Sequence, residues 1–246
     1  MQARLDPLYT PINCLKAVCE DVWIVDGPQV KFGFGWPKFA FTTRMTIVRI
    51  GSQLLVHSPT ELTEGLQREL EGVGTVAWIV EPNRIHYSWI IPWHEAFPNA
   101  AVFLAPKIDK KLHLDFPYSV LESERGYPWD ESVRTLPIRS LYMTEVEFFH
   151  VPSRTLVLTD LIENFEPGKL PSRATKLLTR LAGVHTPRGG MPADMKLTFT
   201  GRRPELRAAV EKMISWNPTR IIISHGRWFE SGGADALRHA FNWLLA

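Results

Sequence analysis

Short apolar runs recur along the chain, and the polar and turn-forming residues between them decide what each run becomes. Val22-Trp23-Ile24-Val25 is β-rich, and Asp26-Gly27-Pro28 reads as the turn that ends it. Gly33-Phe34-Gly35-Trp36-Pro37 reads as a loop. Residues 44–50 and 53–57 are apolar, β-branched runs joined by Gly51-Ser52, a two-residue hairpin signature. The period then changes. Leu62, Leu66 and Leu70 fall four apart, so residues 60–71 predict a helix with Thr60 as its cap. Residues 75–80 are continuously apolar, as in a strand buried on both faces, and Pro82 stops them.

Residues 88–97 predict a short helix broken near Pro92, and residues 101–104 a short strand. Between 108 and 139 the pattern weakens among several prolines, and mostly loop is expected. The clearest hairpin has arms at 146–150 and 155–159 around Val151-Pro152-Ser153-Arg154, and its second arm ends in Asp160. Residues 170–181 predict a basic amphipathic helix with Pro171 in its first turn, and residues 201–216 another helix. Residues 220–223 form an apolar run ending at Ser224-His225-Gly226, and an amphipathic helix over 235–244 closes the chain. The early strands form a meander, whereas helices separate the later ones. The expected fold is α/β: one domain over residues 1–246, an αβ/βα sandwich of two mixed sheets with outer helices.

Composition narrows the classes. A chain of 246 residues, 45% hydrophobic and 22% charged, can bury a large core without disulfides. Its net charge of +2 argues against a nucleic-acid or membrane partner. Cys14 and Cys19 match neither a redox pair nor a zinc knuckle, and buried free thiols are expected. The first thirteen residues lack the apolar core of a signal peptide, and no apolar run reaches transmembrane length, so a cytoplasmic protein is expected. No GxSxG elbow occurs, and neither cysteine has a neighbouring base. The scattered tryptophans read as core, and Lys169, Arg173, Lys176 and Arg180 as one solvated helix face.

Four segments carry a resemblance: Leu54-Leu55-Val56-His57-Ser58-Pro59, residues 76–87, residues 155–161 and residues 221–226. In type and order they resemble the metallo-β-lactamase superfamily. There a hairpin leads to a helix, a buried strand ends in an HxHxDH loop, a later strand ends in a metal-bridging aspartate, and a last strand ends in histidine and glycine. Asp160 and His225 match the last two positions. The loop departs from the pattern: Pro82, Arg84, His86 and Tyr87 stand where the family has its three histidines and its aspartate, with His86 at the aspartate position. The family's further histidine would fall in Leu141-Tyr142-Met143-Thr144, which has none. The wording of residues 81–86 and 149–156 resembles a divergent branch of the superfamily known as a domain of unknown function.

Two zinc ions need roughly four ligands each, so the resemblance implies a dismantled dinuclear site. Arg84 would repel a dication by about 4 kcal/mol at 4 Å and an effective dielectric of about 20. No cofactor is expected beyond one weakly bound zinc or other divalent metal, held by His86, Asp160 and His225. The leading expectation is a small molecule, an anion among the candidates, bound in the residual cleft by Arg84, His86, Arg154, Asp160 and His225, without dinuclear catalysis. One alternative is a mononuclear metal-dependent hydrolase using His86, Asp160 and His225; another is a non-catalytic interaction module. Convergence of those three side chains favours the hydrolase. Arg84 or Arg154 paired with Asp160 favours the binder, and Tyr87 plugging the cleft favours the interaction module. His57 reads as structural, His94 as a partly buried helix residue, and His150 as a hairpin-tip surface residue. Arg154 could equally pair with Glu145 or Glu147. His113, His185 and His239 read as surface residues.

Overall fold

A computed structural model describes residues 6–32 and 39–246. The Gly33–Pro37 loop expected from the sequence lies outside them, as do residues 1–5. The described strands form two sheets. The larger has seven strands in chain order: β1 (Lys16–Cys19), β2 (Val22–Phe32), β3 (Phe39–Ile50), β4 (Gln53–His57), β5 (Thr75–Glu81), β6 (Ala101–Leu104) and β7 (Tyr118–Val120). The first four pair antiparallel, and β4 to β7 run parallel. The smaller sheet contains β8 (Val133–Arg139), β9 (Thr144–His150), β10 (Thr155–Leu158) and β11 (Arg220–Ile223), in the order β11-β10-β9-β8. Only β10 and β11 are parallel within it.

Burial follows the alternation along the strands. Val146, Phe148, Val157 and Ile222 of the smaller sheet join the larger sheet's residues in one core between the sheets. Their neighbours Phe149, Leu156, Leu158, Ile221 and Ile223 face the other way. They pack under α5 (Arg203–Ser215), α6 (Gly233–Ala240) and α7 (Asn242–Leu245). Two helices, α1 (Glu64–Val73) and α2 (Ile90–Ala96), carry the β4–β5 and β5–β6 crossovers of the larger sheet and send Leu66, Leu70, Ile90 and Trp93 into the first core. The expected two-sheet α/β sandwich is what the chain forms.

Several local expectations are corrected. Asp26-Gly27-Pro28 does not end its strand: β2 continues, and a register irregularity between Asp26 and Gln29 absorbs the three residues. Gly27 is needed there because a Cβ would lie 1.8 Å from Thr60 Oγ1. The cap of α1 is Thr63, whose side chain accepts from Leu66 N; Thr60 is buried, and its carbonyl takes the Trp93 indole N–H at 2.7 Å. Pro92 does not break α2, because it falls in the first turn, where its missing N–H has no partner to lose. The stretch expected to be loop contains β7 and β8. Pro137 obscured β8 in the sequence, but β8 is an edge strand, where a proline is tolerated. The basic helix α3 (Arg173–Leu181) starts after Pro171, capped by Ser172, and leaves Lys169 in a preceding 3-10 turn. A short helix, α4 (Ala193–Leu197), was not anticipated. Cys14 and Cys19 are free but half-buried rather than buried.

Candidate metal centre

The site forms where parallel strands end. Leu158 of β10 and Ile223 of β11 are register partners. Asp160 and His225, each two residues further on, therefore leave the sheet side by side. Such C-terminal rims are where α/β sheets hold ligands. His86 reaches the same place from the loop after β5. The Nε2 of His86 lies 3.3 Å from Asp160 Oδ2, and that of His225 lies 3.1 Å from Asp160 Oδ1. Asp160 and His225 are buried, and His86 is half-buried.

Each member is held from behind. His225 Nδ1 donates to the Thr42 carbonyl at 2.7 Å, so the Nε2 facing Asp160 is either protonated or a free lone pair. His86 Nδ1 meets Ser58 Oγ at 2.7 Å, a hydroxyl that can donate or accept. Ser58 holds that position from a left-handed backbone, φ 55°. Asn83 closes the loop on itself: its Oδ1 accepts the N–H groups of Ile85 and His86, and its Nδ2 donates to Asp160 Oδ2 at 2.6 Å. Glu145 Oε1 accepts three successive amides, from Thr159, Asp160 and Leu161, at 2.8–3.0 Å. Buried Arg44 donates to the carbonyls of Ile223 and Gly226 on either side of His225, and pairs with Asp26 at 2.7 Å. Gly226 has φ 90°, and a Cβ there would sit 2.3 Å from the Asn164 carbonyl oxygen.

The charges follow from this packing. Burial pushes the Asp160 carboxyl upward, but the charges and hydrogen bonds of His86 and His225 hold it well below the usual carboxylate range. Burial works against a charged His225, yet the hydrogen bond and charge of Asp160 raise it to about 9. Glu163, half-buried in the cleft wall, is pushed up by burial to about 8, against the pull of His225. Behind the site, burial and then neighbouring charge raise both Glu145 and Glu147.

A cleft of about 480 Å³ opens beside the cluster. Phe41, Tyr87, Trp89, Tyr142 and Met195 give it apolar walls, and Tyr87 lines the space without plugging it. Its charged wall residues are Asp160 and Asp194 against Lys31 and the raised His225, and Glu163 keeps its proton at neutral pH. Arg84 does not enter. Its guanidinium donates to the Tyr142 carbonyl at 3.1 Å and stacks over the Tyr142 ring. Arg154 lies at the hairpin turn, with both Nε and an Nη donating to the Asn217 carbonyl. Neither arginine is among the cleft-lining residues, so the expected anion clamp is not assembled there, and the Glu145 and Glu147 carboxylates are not its partners. His150 is buried, not a surface residue, and its Nδ1 meets Ser153 Oγ at 2.7 Å. His57 is buried against Phe148, and burial lowers it to about 3. His94 stacks on Phe116; His113 is exposed, as is His239, whereas His185 is half-buried against Thr179.

The residues fit one metal ion. Zinc with four ligands at about 2.0–2.1 Å puts neighbouring donor atoms about 3.3 Å apart. Each imidazole Nε2 lies about that far from an oxygen of Asp160, His86 from Oδ2 at 3.3 Å and His225 from Oδ1 at 3.1 Å, and one donor atom from each of the three residues lies within 4.8 Å of the other two. The Nδ1 bonds of both imidazoles turn Nε2 toward the shared position, the usual way a metal-binding histidine is oriented. Among the described residues, this is the group of histidine, cysteine and carboxylate side chains gathered closely enough to share an ion. Asn83, Glu145, Ser58, Thr42 and Arg44 were not singled out from the sequence. A carboxylate at position 145, inside the apolar strand β9, was the one signal available.

A sandwich of two mixed sheets with outer helices is the architecture of the metallo-β-lactamase fold. The chain is similar to DIM-1 metallo-β-lactamase in a crystal exposed to ceftazidime (TM-score 0.62, 12% identity, 94% of this chain and 95% of that one). It is similar to the same degree to VMB-1 (0.62, 13%, 94% and 95%). A putative diflavin flavoprotein A 5 fragment from Nostoc sp. PCC 7120 gives a TM-score of 0.61 at 11% identity, covering 94% of each chain. Identities this low carry the fold alone. No curated protein matches the chain by sequence. The chain belongs to the family described as Domain of unknown function (DUF4336), whose sequence profile matches residues 20–178.

Proposed function

We propose that the protein is a hydrolase working with a single divalent metal ion held by His86, Asp160 and His225. The observation that carries this reading is the convergence of the three side chains at a cleft, with both imidazoles fixed through Nδ1. When bound, such an ion supplies Lewis acidity and activates water near neutral pH. The chain's own residues do the rest. Ser58 and Thr42 orient the imidazoles, while Asn83 and Glu145 hold the carboxylate and the backbone that bears it. Glu163, raised to about 8, keeps its proton at neutral pH and can pass it to a leaving group. The aromatic walls exclude water from an apolar substrate body. With both arginines turned elsewhere, Glu163 protonated, and Lys31 and His225 offset by Asp160 and Asp194, the cleft carries no cation excess and favours a small uncharged substrate over an anionic one. A cytoplasmic place of work agrees with the free thiols at Cys14 and Cys19.

A metal-free ligand-binding protein is the second reading. One observation favours it: Asp160 lies within 3.3 Å of Asn83 Nδ2, His86 Nε2 and His225 Nε2, three nitrogens that can satisfy it as hydrogen-bond donors. Calorimetric titration with zinc separates the two. The hydrolase reading expects at most one weakly held ion per chain, lost in His225→Ala, and chelator-sensitive cleavage of chromogenic esters or lactams. Because a weakly held ion stabilises little, chelation should barely move the melting temperature. Zinc titration without heat or stoichiometric uptake would sink the hydrolase reading and leave the binder. Two tightly held ions would overturn both.

A further inference from the structure

We infer that helix α3 is a docking surface for an anionic lipid bilayer. The helix spans nine residues, Arg173–Leu181, and none of them is buried. Leu177, Leu178 and Leu181 are 58, 52 and 75% exposed. At about 100° per residue, Ala174 joins these leucines on one face, and Arg173, Lys176 and Arg180 line one flank of it. Thr175 and Thr179 fall on the remaining side and are half-buried. Thr179 turns inward, its Oγ1 lying 2.6 Å from His185 Nε2. The helix therefore sits on the body by its threonine side and offers its leucines to solvent. An ordinary surface helix does the reverse.

The flank gives the face its partner. Arg173, Lys176 and Arg180 take no part in the ion pairs of the described residues. Lys169, the fourth cation of the sequence pattern, is occupied with the Asp6 and Leu8 carbonyls. Three cations beside three exposed leucines suit a surface that is anionic outside and apolar beneath. The net charge of +2 that argues against a membrane partner is an average over the whole chain, whereas these three cations are concentrated on nine residues. Shape favours lipid over protein as well. A lone helix is a convex ridge, and a protein partner would have to supply a matching groove, whereas a bilayer interface yields to a ridge. This inference is independent of the metal centre.

Co-sedimentation of the full chain with vesicles tests it. One set is phosphatidylcholine alone; the other has about one lipid in three replaced by phosphatidylserine. Binding is expected to the anionic vesicles at low salt, and to weaken as salt screens the cations. The double variants Leu177→Ser/Leu181→Ser and Arg173→Glu/Arg180→Glu should each weaken it by about tenfold or more. These side chains are exposed, so both variants should melt with the wild type. Failure of the wild type to bind anionic vesicles overturns the inference, as does wild-type binding by the leucine variant. A wild-type dimer in light scattering that ignores vesicles, and that the leucine variant dissolves, also overturns it and assigns the face to a second copy.

Discussion

Arg44→Met should destabilise the protein although the site it supports lies at a surface cleft. Arg44 is 3% exposed, and methionine fills a similar space, so the loss is electrostatic rather than steric. Three bonds disappear: to the Ile223 carbonyl at 2.7 Å, to the Gly226 carbonyl at 2.8 Å and to Asp26 Oδ1 at 2.7 Å. Asp26, also 3% exposed, keeps Lys16 at 2.8 Å, which limits the damage. Removing one partner of a buried pair costs about 3–5 kcal/mol, and an orphaned buried acceptor about 1–3, without strict additivity. We expect about 3–5 kcal/mol in all, or a fall in Tm of about 6–20 °C for a chain of this size. Urea denaturation and thermal melting at neutral pH measure it. Adding Asp26→Leu should return part of the loss, because the buried carboxylate, left with Lys16 as its one charged partner, is then gone. A loss below about 1 kcal/mol, or a double variant whose losses simply add, would refute the assignment of Arg44 as the tie between β3 and the His225 loop.

Two further substitutions probe the same region. His57 stays neutral in the fold at about 3 but takes a proton near 6.5 when unfolded, so its stability contribution is present above 6.5 and lost as pH falls toward 3. His57→Leu should therefore gain on the wild type by about 3 kcal/mol between pH 6.5 and 4, and parallel pH–stability curves would count against it. Asn83→Ala removes the acceptor of two loop amides and the 2.6 Å donor to Asp160. It should cost about 1–3 kcal/mol and weaken zinc binding about tenfold or more, so unchanged calorimetry would exclude Asn83 as a positioning residue.

Much of this was legible along the chain. Strands β6 and β11 fall where their apolar runs lie, because three or four consecutive apolar residues between turn signals have few other ways to be buried. The three cluster residues could be nominated for a related reason: Asp160 and His225 closely follow apolar strands and His86 a loop beyond one, and polar side chains there must find partners. Where those partners come from was not legible. Arg84 meets Tyr142, 58 residues on, and so leaves the cleft. Asp160 meets Asn83 across 77 residues, and Arg44 meets the His225 loop across 179 and 182. β8 was hidden by Pro137, whose tolerance depends on an edge position that only the order of the sheet creates. In α3 the apolar side was visible in the sequence as an amphipathic face, but its outward direction was not. The sequence by itself determined where the strongly patterned strands and helices lie and which side chains carry donor chemistry, because their periodicity is set within each element. Tertiary structure alone decided which of those side chains share a site, because sheet order and register bring together residues that the chain holds far apart.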